Sequence, residues 1–129
     1  MCLSYITKPR AITERLYSQF EVLPNGQVQR WIRKGMLFNV DSDGWEYATR
    51  TRINRHFQPY YSGFHMYESL DDATRFLKKN NHPNYGIVVS FEWQGIEVQG
   101  IDGTRCITVV HARKASEIVW DGRLNKEVS

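Results

Sequence analysis

His65 and Tyr67 stand two residues apart in the run Gly63-Phe64-His65-Met66-Tyr67. On an extended strand they share one face, with Phe64 and Met66 on the other. An imidazole beside a phenol can move protons near neutral pH, and a carboxylate such as Glu92 or Glu97 would complete an acid–base set. The ordinary alternative for His65 is a structural residue bonded to backbone. Two other segments mix cations with aromatics: Arg30-Trp31-Ile32-Arg33-Lys34, and Arg50-Thr51-Arg52-Ile53-Asn54-Arg55-His56-Phe57 followed by Tyr60 and Tyr61. Arginine and lysine neutralise anionic groups, and exposed aromatics stack on bases or anchor protein interfaces. On a strand Arg50 and Arg52 point the same way. The ordinary alternative is a solvated sheet face with core aromatics. The binding candidates are therefore Arg30, Trp31, Arg33, Lys34, Arg50, Arg52, Arg55, Phe57, Tyr60 and Tyr61.

Other chemistry finds little support. Cys2 and Cys106 have neither the number of a disulfide framework nor zinc-ligand spacing, and no histidine or aspartate near Cys2 would activate its thiol. Asp41, Asp43 and Glu46 fall in a turn that lacks the remaining ligands and the glycine of a calcium loop. No phosphate-cradling glycine loop and no serine–histidine–aspartate order appears, so no metal and no cofactor is expected.

The elements that must position these residues come from periodicity and punctuation. The 129 residues fit one domain, 1–129, able to bury a core without staples. Leu16–Leu23 reads as a strand, turned by Pro24-Asn25-Gly26 into a return strand over Gln27–Ile32. Met36–Val40 and Trp45–Arg52 read as strands, and the aromatic stretch 53–62 as a long loop. Ala11–Arg15 suggests one helical turn. Gly63–Tyr67 leads into the clearest element, a helix over about 69–80. It is capped by Ser69, with Asp72 as the second half of a capping box and Leu70, Ala73, Phe76 and Leu77 on its apolar face. This face is expected to pack on the sheet that holds Val88 and Phe91. Strands follow at Gly86–Trp93, Ile96–Val98, Arg105–Ala112 and Ser116–Trp120, with a polar, frayed tail over 121–129. The fold class is α+β: a curved, mainly antiparallel sheet with one principal helix packed on it.

Charge is uneven along the chain. Residues 1–58 carry nine Lys/Arg against five Asp/Glu, whereas residues 59–129 carry eight against nine, which together give the net +3. A basic first half suits an anionic partner or a solvated face. No secretory leader and no apolar span is read from the sequence, so no membrane partner is expected and a reducing cytoplasm is the expected compartment.

Met1-Cys2-Leu3, the strand Phe20-Glu21-Val22-Leu23, and Gly63-Phe64-His65 followed by the capped helix together resemble an uncharacterised family of small bacteriophage and prophage proteins. The closing stretch Glu92, Glu97-Val98 and Ala112 is loosely similar. The segment between Trp31 and Tyr61 departs from that family in being more basic and more aromatic. The resemblance implies a viral or mobile-element accessory protein in a host cytoplasm, and no mechanism. In that setting the leading expectation is binding to a host protein or nucleoprotein, with an anti-defence inhibitor as one form. The glycine–aromatic strand before a short helix also resembles ADP-ribosyltransferases, although their other motifs are missing. That alternative places an enzyme's site at His65, Tyr67, Glu92 and Glu97. A third reading is direct nucleic-acid binding through the basic aromatic region 30–61.

Overall fold

The computed structural model describes residues 3, 5–30, 37–38, 44–53, 60–75, 85–124 and 126–128. Its framework is a hairpin of two long strands, β9 (Tyr85–Asp102) and β10 (Arg105–Asp121). They turn at Gly103, whose φ of 64° favours glycine. Before them come β1 (Tyr5–Ile6), β2 (Leu16–Val22), β3 (Val28–Arg30), β4 (Leu37–Phe38), β5 (Glu46–Tyr47), β6 (Arg52–Ile53), β7 (Tyr60–Tyr61), β8 (Phe64–Tyr67) and the helix α1 (Leu70–Thr74); β11 (Lys126–Glu127) follows.

Among the described residues all pairings are antiparallel. The main sheet runs β1-β9-β10-β8-β2-β3-β4, with β5 and β11 also on β10, and β2 pairs β9 as well. The pairings β2–β9, β9–β10, β10–β8 and β8–β2 therefore form a closed circuit. The circuit bends the sheet around an inner cluster to which each of its four strands contributes: Leu16, Phe20 and Val22, Met66, Ile87, Val89 and Phe91, and Val110. The opposite face carries Tyr67, Val88, Ile107, Val109 and Trp120, covered by Ala73 of α1, by Tyr60 and by Leu3. This is the α+β arrangement expected, a curved antiparallel sheet with a helix on it, described over Leu70–Thr74; positions 76–80 of the expected helix lie outside the described residues.

The helix starts where its cap predicts. Ser69 is extended, with φ −132° and ψ 149°, and its side chain accepts from the Asp72 amide at 3.1 Å. Asp72 does not complete the capping box. Its carboxylate accepts instead from Arg75 at 2.7 Å and from the Cys106 amide at 3.1 Å, tying helix to β10. The helix packs on Val88 as expected, but Phe91 lies in the inner cluster on the other face, because residues three apart on a strand point oppositely. Phe76 and Leu77 lie outside the described residues.

Four local expectations are corrected. Ala11–Arg15 forms no helical turn: nearby backbone groups are committed to β9, with Arg10 N–H donating to Gln99 and Thr13 C=O accepting from Trp93. Trp45–Arg52 is not one strand, since β5 pairs with β10 and β6 with β7. The four strands expected after residue 85 are two, because bulges near Val109/Val110, Ala115/Glu117 and Ile118/Trp120 absorb the irregularities. The tail is not frayed throughout: Lys126 and Glu127 pair with Asp121 and Trp120.

The start of the chain is held by Arg10. Its guanidinium donates to both Glu68 oxygens, to Thr7, and to the carbonyls of Gly100 and Ile107. The hydrogen bond to Glu68 raises the Arg10 pKa against the lowering effect of burial.

Candidate functional site

The four acid–base candidates take separate partners. His65 is half-buried, its Nδ1 donating to the Gly63 carbonyl at 3.3 Å, with the Tyr60 ring edge-on at 6.4 Å. Tyr67 is 2 % exposed and its phenol oxygen accepts from Arg105 at 2.7 Å. Burial pushes that phenol up to about 12, although the Arg105 charge pulls it down. Glu92 is exposed and pairs with Arg15 at 3.5 Å. Glu97, left over at the bulge of β9, pairs with Arg50 at 3.2 Å. The cation-loop residue Glu46 is engaged by Arg30 and Arg113. Among the described residues no three His, Cys, Asp or Glu side chains group as metal ligands.

The binding candidates converge better. Arg50 lies 3.8 Å above the centre of the Tyr61 ring, within the range of a cation–π contact. Glu97 fixes the guanidinium from behind: its side chain is 10 % exposed, whereas that of Arg50 is 55 % exposed. Arg52 is exposed and lies opposite Tyr61 in the β6–β7 pair. That pair is closed at its base by Ser62, which accepts from the Thr51 amide and donates to the Thr49 carbonyl. Tyr60, next in line, points the other way and is buried at 7 % exposure, so it belongs to the core. Arg30 is turned toward the Phe64 ring and Glu46. Trp31, Arg33, Lys34, Arg55 and Phe57 lie outside the described residues.

The same seam carries side chains that sequence reading missed. Tyr47 is 64 % exposed, with its ring 6.0 Å from that of His111. The Ala48 amide donates to the His111 carbonyl, laying this part of the chain along β10. Ile96 is also exposed, one residue before Glu97. The Tyr47–His111 contact and the Arg50–Tyr61 stack lie along one stretch of chain, tied to β10 by the Ala48 amide and to β9 by Glu97, and Tyr47, Arg50 and Tyr61 present aromatic and cationic side chains to solvent. Opposite Glu46, the residue before Tyr47, β10 carries Arg113. It is 3 % exposed, with its guanidinium carbon 4.3 Å from the Phe64 ring, 4.5 Å from Phe91 and 5.7 Å from Phe20. Its Nε donates to Glu46 at 3.3 Å and one terminal nitrogen approaches the Met66 sulfur at 3.6 Å. Burial lowers the Arg113 pKa to about 10, against the stabilising charge of Glu46. A cation inside an aromatic cluster has no signal in strand periodicity, because the rings come from three separate strands.

No protein family model, no curated protein and no solved structure gives a significant match to this chain. Among the described residues no helix is long and apolar enough to cross a membrane.

Proposed function

We propose that this chain acts by binding, and that its Tyr47–Arg50–Arg52–Tyr61 face engages an acidic patch on a host protein or nucleoprotein. The sequence resemblance supports a phage or mobile-element accessory protein, working in the host cytoplasm by blocking or redirecting its partner, as an anti-defence inhibitor would. The observation that carries the binding reading is the Arg50–Tyr61 stack. A guanidinium that is half-exposed, stacked at 3.8 Å and held from behind by Glu97 presents its remaining donors outward in a fixed orientation. Pre-ordering an arginine in this way lowers the entropy lost on association, and arginine and tyrosine are the usual anchors of interfaces. Because Glu97 already offsets the Arg50 charge, the face carries less positive charge than a continuous phosphate backbone would call for, and Arg52 remains to meet a single acidic side chain.

The test is capture from host lysate with and without nuclease. It compares the parent with Tyr61→Ala, Arg52→Glu and Arg50→Gln; the last avoids setting a second carboxylate against Glu97. Each is expected to weaken capture about tenfold or more while leaving the fold intact. Capture that vanishes with nuclease would replace the protein partner with nucleic acid. Capture unaffected by all three variants would remove the face from the reading.

A further inference from the structure

We propose that Arg113 is a positioning residue: through Glu46 it sets the register of β5 on β10, and so fixes Tyr47 on the outer face beside His111. The inference rests on the reading of that face as a binding surface, but it is tested on the free protein.

The reason is a conflict between register and hydrophobicity. β5 is two residues long, with Tyr47 opposite Ala112 and Glu46 opposite Arg113. A slip of one residue on a strand exchanges the faces of every side chain. In the observed register the larger apolar side chain, Tyr47, is 64 % exposed, while the carboxylate of Glu46 turns toward the cluster of Phe20, Phe64 and Phe91. Burial alone would favour the opposite arrangement, with tyrosine inward and glutamate in water. Two pairs of strand residues are too few to resist that preference. What reverses it is the cation inside: Arg113 gives Glu46 a charge-assisted hydrogen bond at 3.3 Å, and Arg30 approaches the other carboxylate oxygen at 3.5 Å.

A buried cation is a poor device for stability as such, since an apolar side chain of similar volume often serves equally well in its place. It is an effective device for direction, because an apolar residue at position 113 would accept either Glu46 or Tyr47 as its neighbour. The consequence reaches beyond Tyr47. The Ala48 amide bonds to His111, and Arg50 follows two residues later to meet Glu97 and Tyr61, so the register of β5 sets where the chain enters the arginine–tyrosine stack.

The experiment is Arg113→Met, which refills the aromatic cluster without charge; Glu46 keeps Arg30 and remains partly in water. Three signals are read in solution by NMR: the ring-to-ring contact between Tyr47 and His111, hydrogen exchange at the Ala48 amide, and exchange at the core amides of Val89 and Val109. The expected result is loss of the Tyr47–His111 contact and about tenfold or faster exchange at Ala48, with the core amides still protected. A folded Arg113→Met protein that keeps the Tyr47–His111 contact and Ala48 protection overturns the proposal, whatever its melting temperature. Should that variant not fold, Glu46→Gln decides. It keeps size and one acceptor but loses the charge, and several-fold faster exchange at Ala48 is expected, since charge assistance makes a hydrogen bond roughly twice as strong. Unchanged Ala48 exchange in that variant overturns the proposal. Loss of partner capture plays no part in this reading: a failed capture experiment would remove the binding surface and leave the register lock standing.

Discussion

Gly63 offers the sharpest test of how the face is held. It joins β7, which carries Tyr61, to β8, which is anchored in the sheet. A Cβ placed on it would lie 2.5 Å from the Val110 carbonyl oxygen and 2.9 Å from a methyl of Val109. The carbonyl belongs to a residue paired with Phe64 on one side and Ile96 on the other, so it cannot retreat alone. Ordinary carbon–oxygen contacts begin near about 3.3 Å, so the joint must move by roughly 0.8 Å. Overpacking of this kind costs about 1–3 kcal/mol, and loss of glycine freedom in the unfolded chain returns about 0.4–1 kcal/mol. Gly63→Ala is therefore expected to destabilise by about 1–2 kcal/mol. Urea unfolding followed by tryptophan fluorescence should show a lower midpoint with an unchanged slope.

A control separates crowding from backbone conformation. Gly26 has φ of 86° and nothing within 4 Å of a Cβ, so Gly26→Ala should cost only the left-handed penalty of about 1 kcal/mol. The two variants then differ at the face. Arg50 side-chain protons, shifted by the Tyr61 ring current in the parent, should move toward ordinary positions in Gly63→Ala and stay put in Gly26→Ala. A Gly63→Ala protein with the parent's midpoint and an intact Arg50–Tyr61 stack would refute this account of the joint.

Three further outcomes follow from the packing. Phe91→Ala should lose about 3–5 kcal/mol in the same unfolding assay, because Phe91 is fully buried in the inner cluster. The Tyr67 phenol, raised to about 12 by burial, stabilises the fold fully below the unfolded value of 10; that stability is lost as pH rises through about 12. Alkaline denaturation between these pH values should lessen in Tyr67→Phe, which would also lose the Arg105 bond, worth about 1–2 kcal/mol. Arg10→Gln should speed exchange at the Thr7 amide, which donates to Gln99, while the amides of Val89 and Val109 stay protected; equal acceleration of all three would show that the clamp supports the whole sheet.

Local chemistry was legible in the sequence where it acts locally. Asn25–Gly26 makes the turn it predicts: Gly26 has positive φ, and the Asn25 side chain accepts from the Gln27 amide. Ser69 caps its helix, and the alternation Leu16, Phe20, Val22 names one face of β2. The long hairpin was not legible, because Gly95 and the run Arg113-Lys114-Ala115 look like breaks. Gly95 instead continues β9 with φ of 70°, and Arg113 is turned inward among rings of β2, β8 and β9. In the candidate face, Arg50, Arg52 and Tyr61 could be chosen as candidates from residue type alone. Tyr60 could not be separated from Tyr61 until the pairing of β7 set which one turned inward, and Tyr47 and His111 met only through the pairing of β5 with β10.

The distribution of strand lengths bears on how such a face would work. Its residues come mainly from β5, β6 and β7, each of two residues, while the framework strands β9 and β10 run to 18 and 17. Short pairs with few buried apolar side chains open at low free energy, and long strands packed on both faces open only with the whole domain. A face built this way would lose much of its freedom on meeting a partner, at a cost to affinity, unless internal contacts have already ordered it. Glu97 paired with Arg50, Ser62 across the base of β6–β7, and Arg113 paired with Glu46 all supply such order through contacts within the protein. Acid–base chemistry also calls for groups held in place, but converging on one reacting atom. Here Glu92 pairs with Arg15, Glu97 with Arg50 and the Tyr67 phenol with Arg105, three separate partners for three of the candidates.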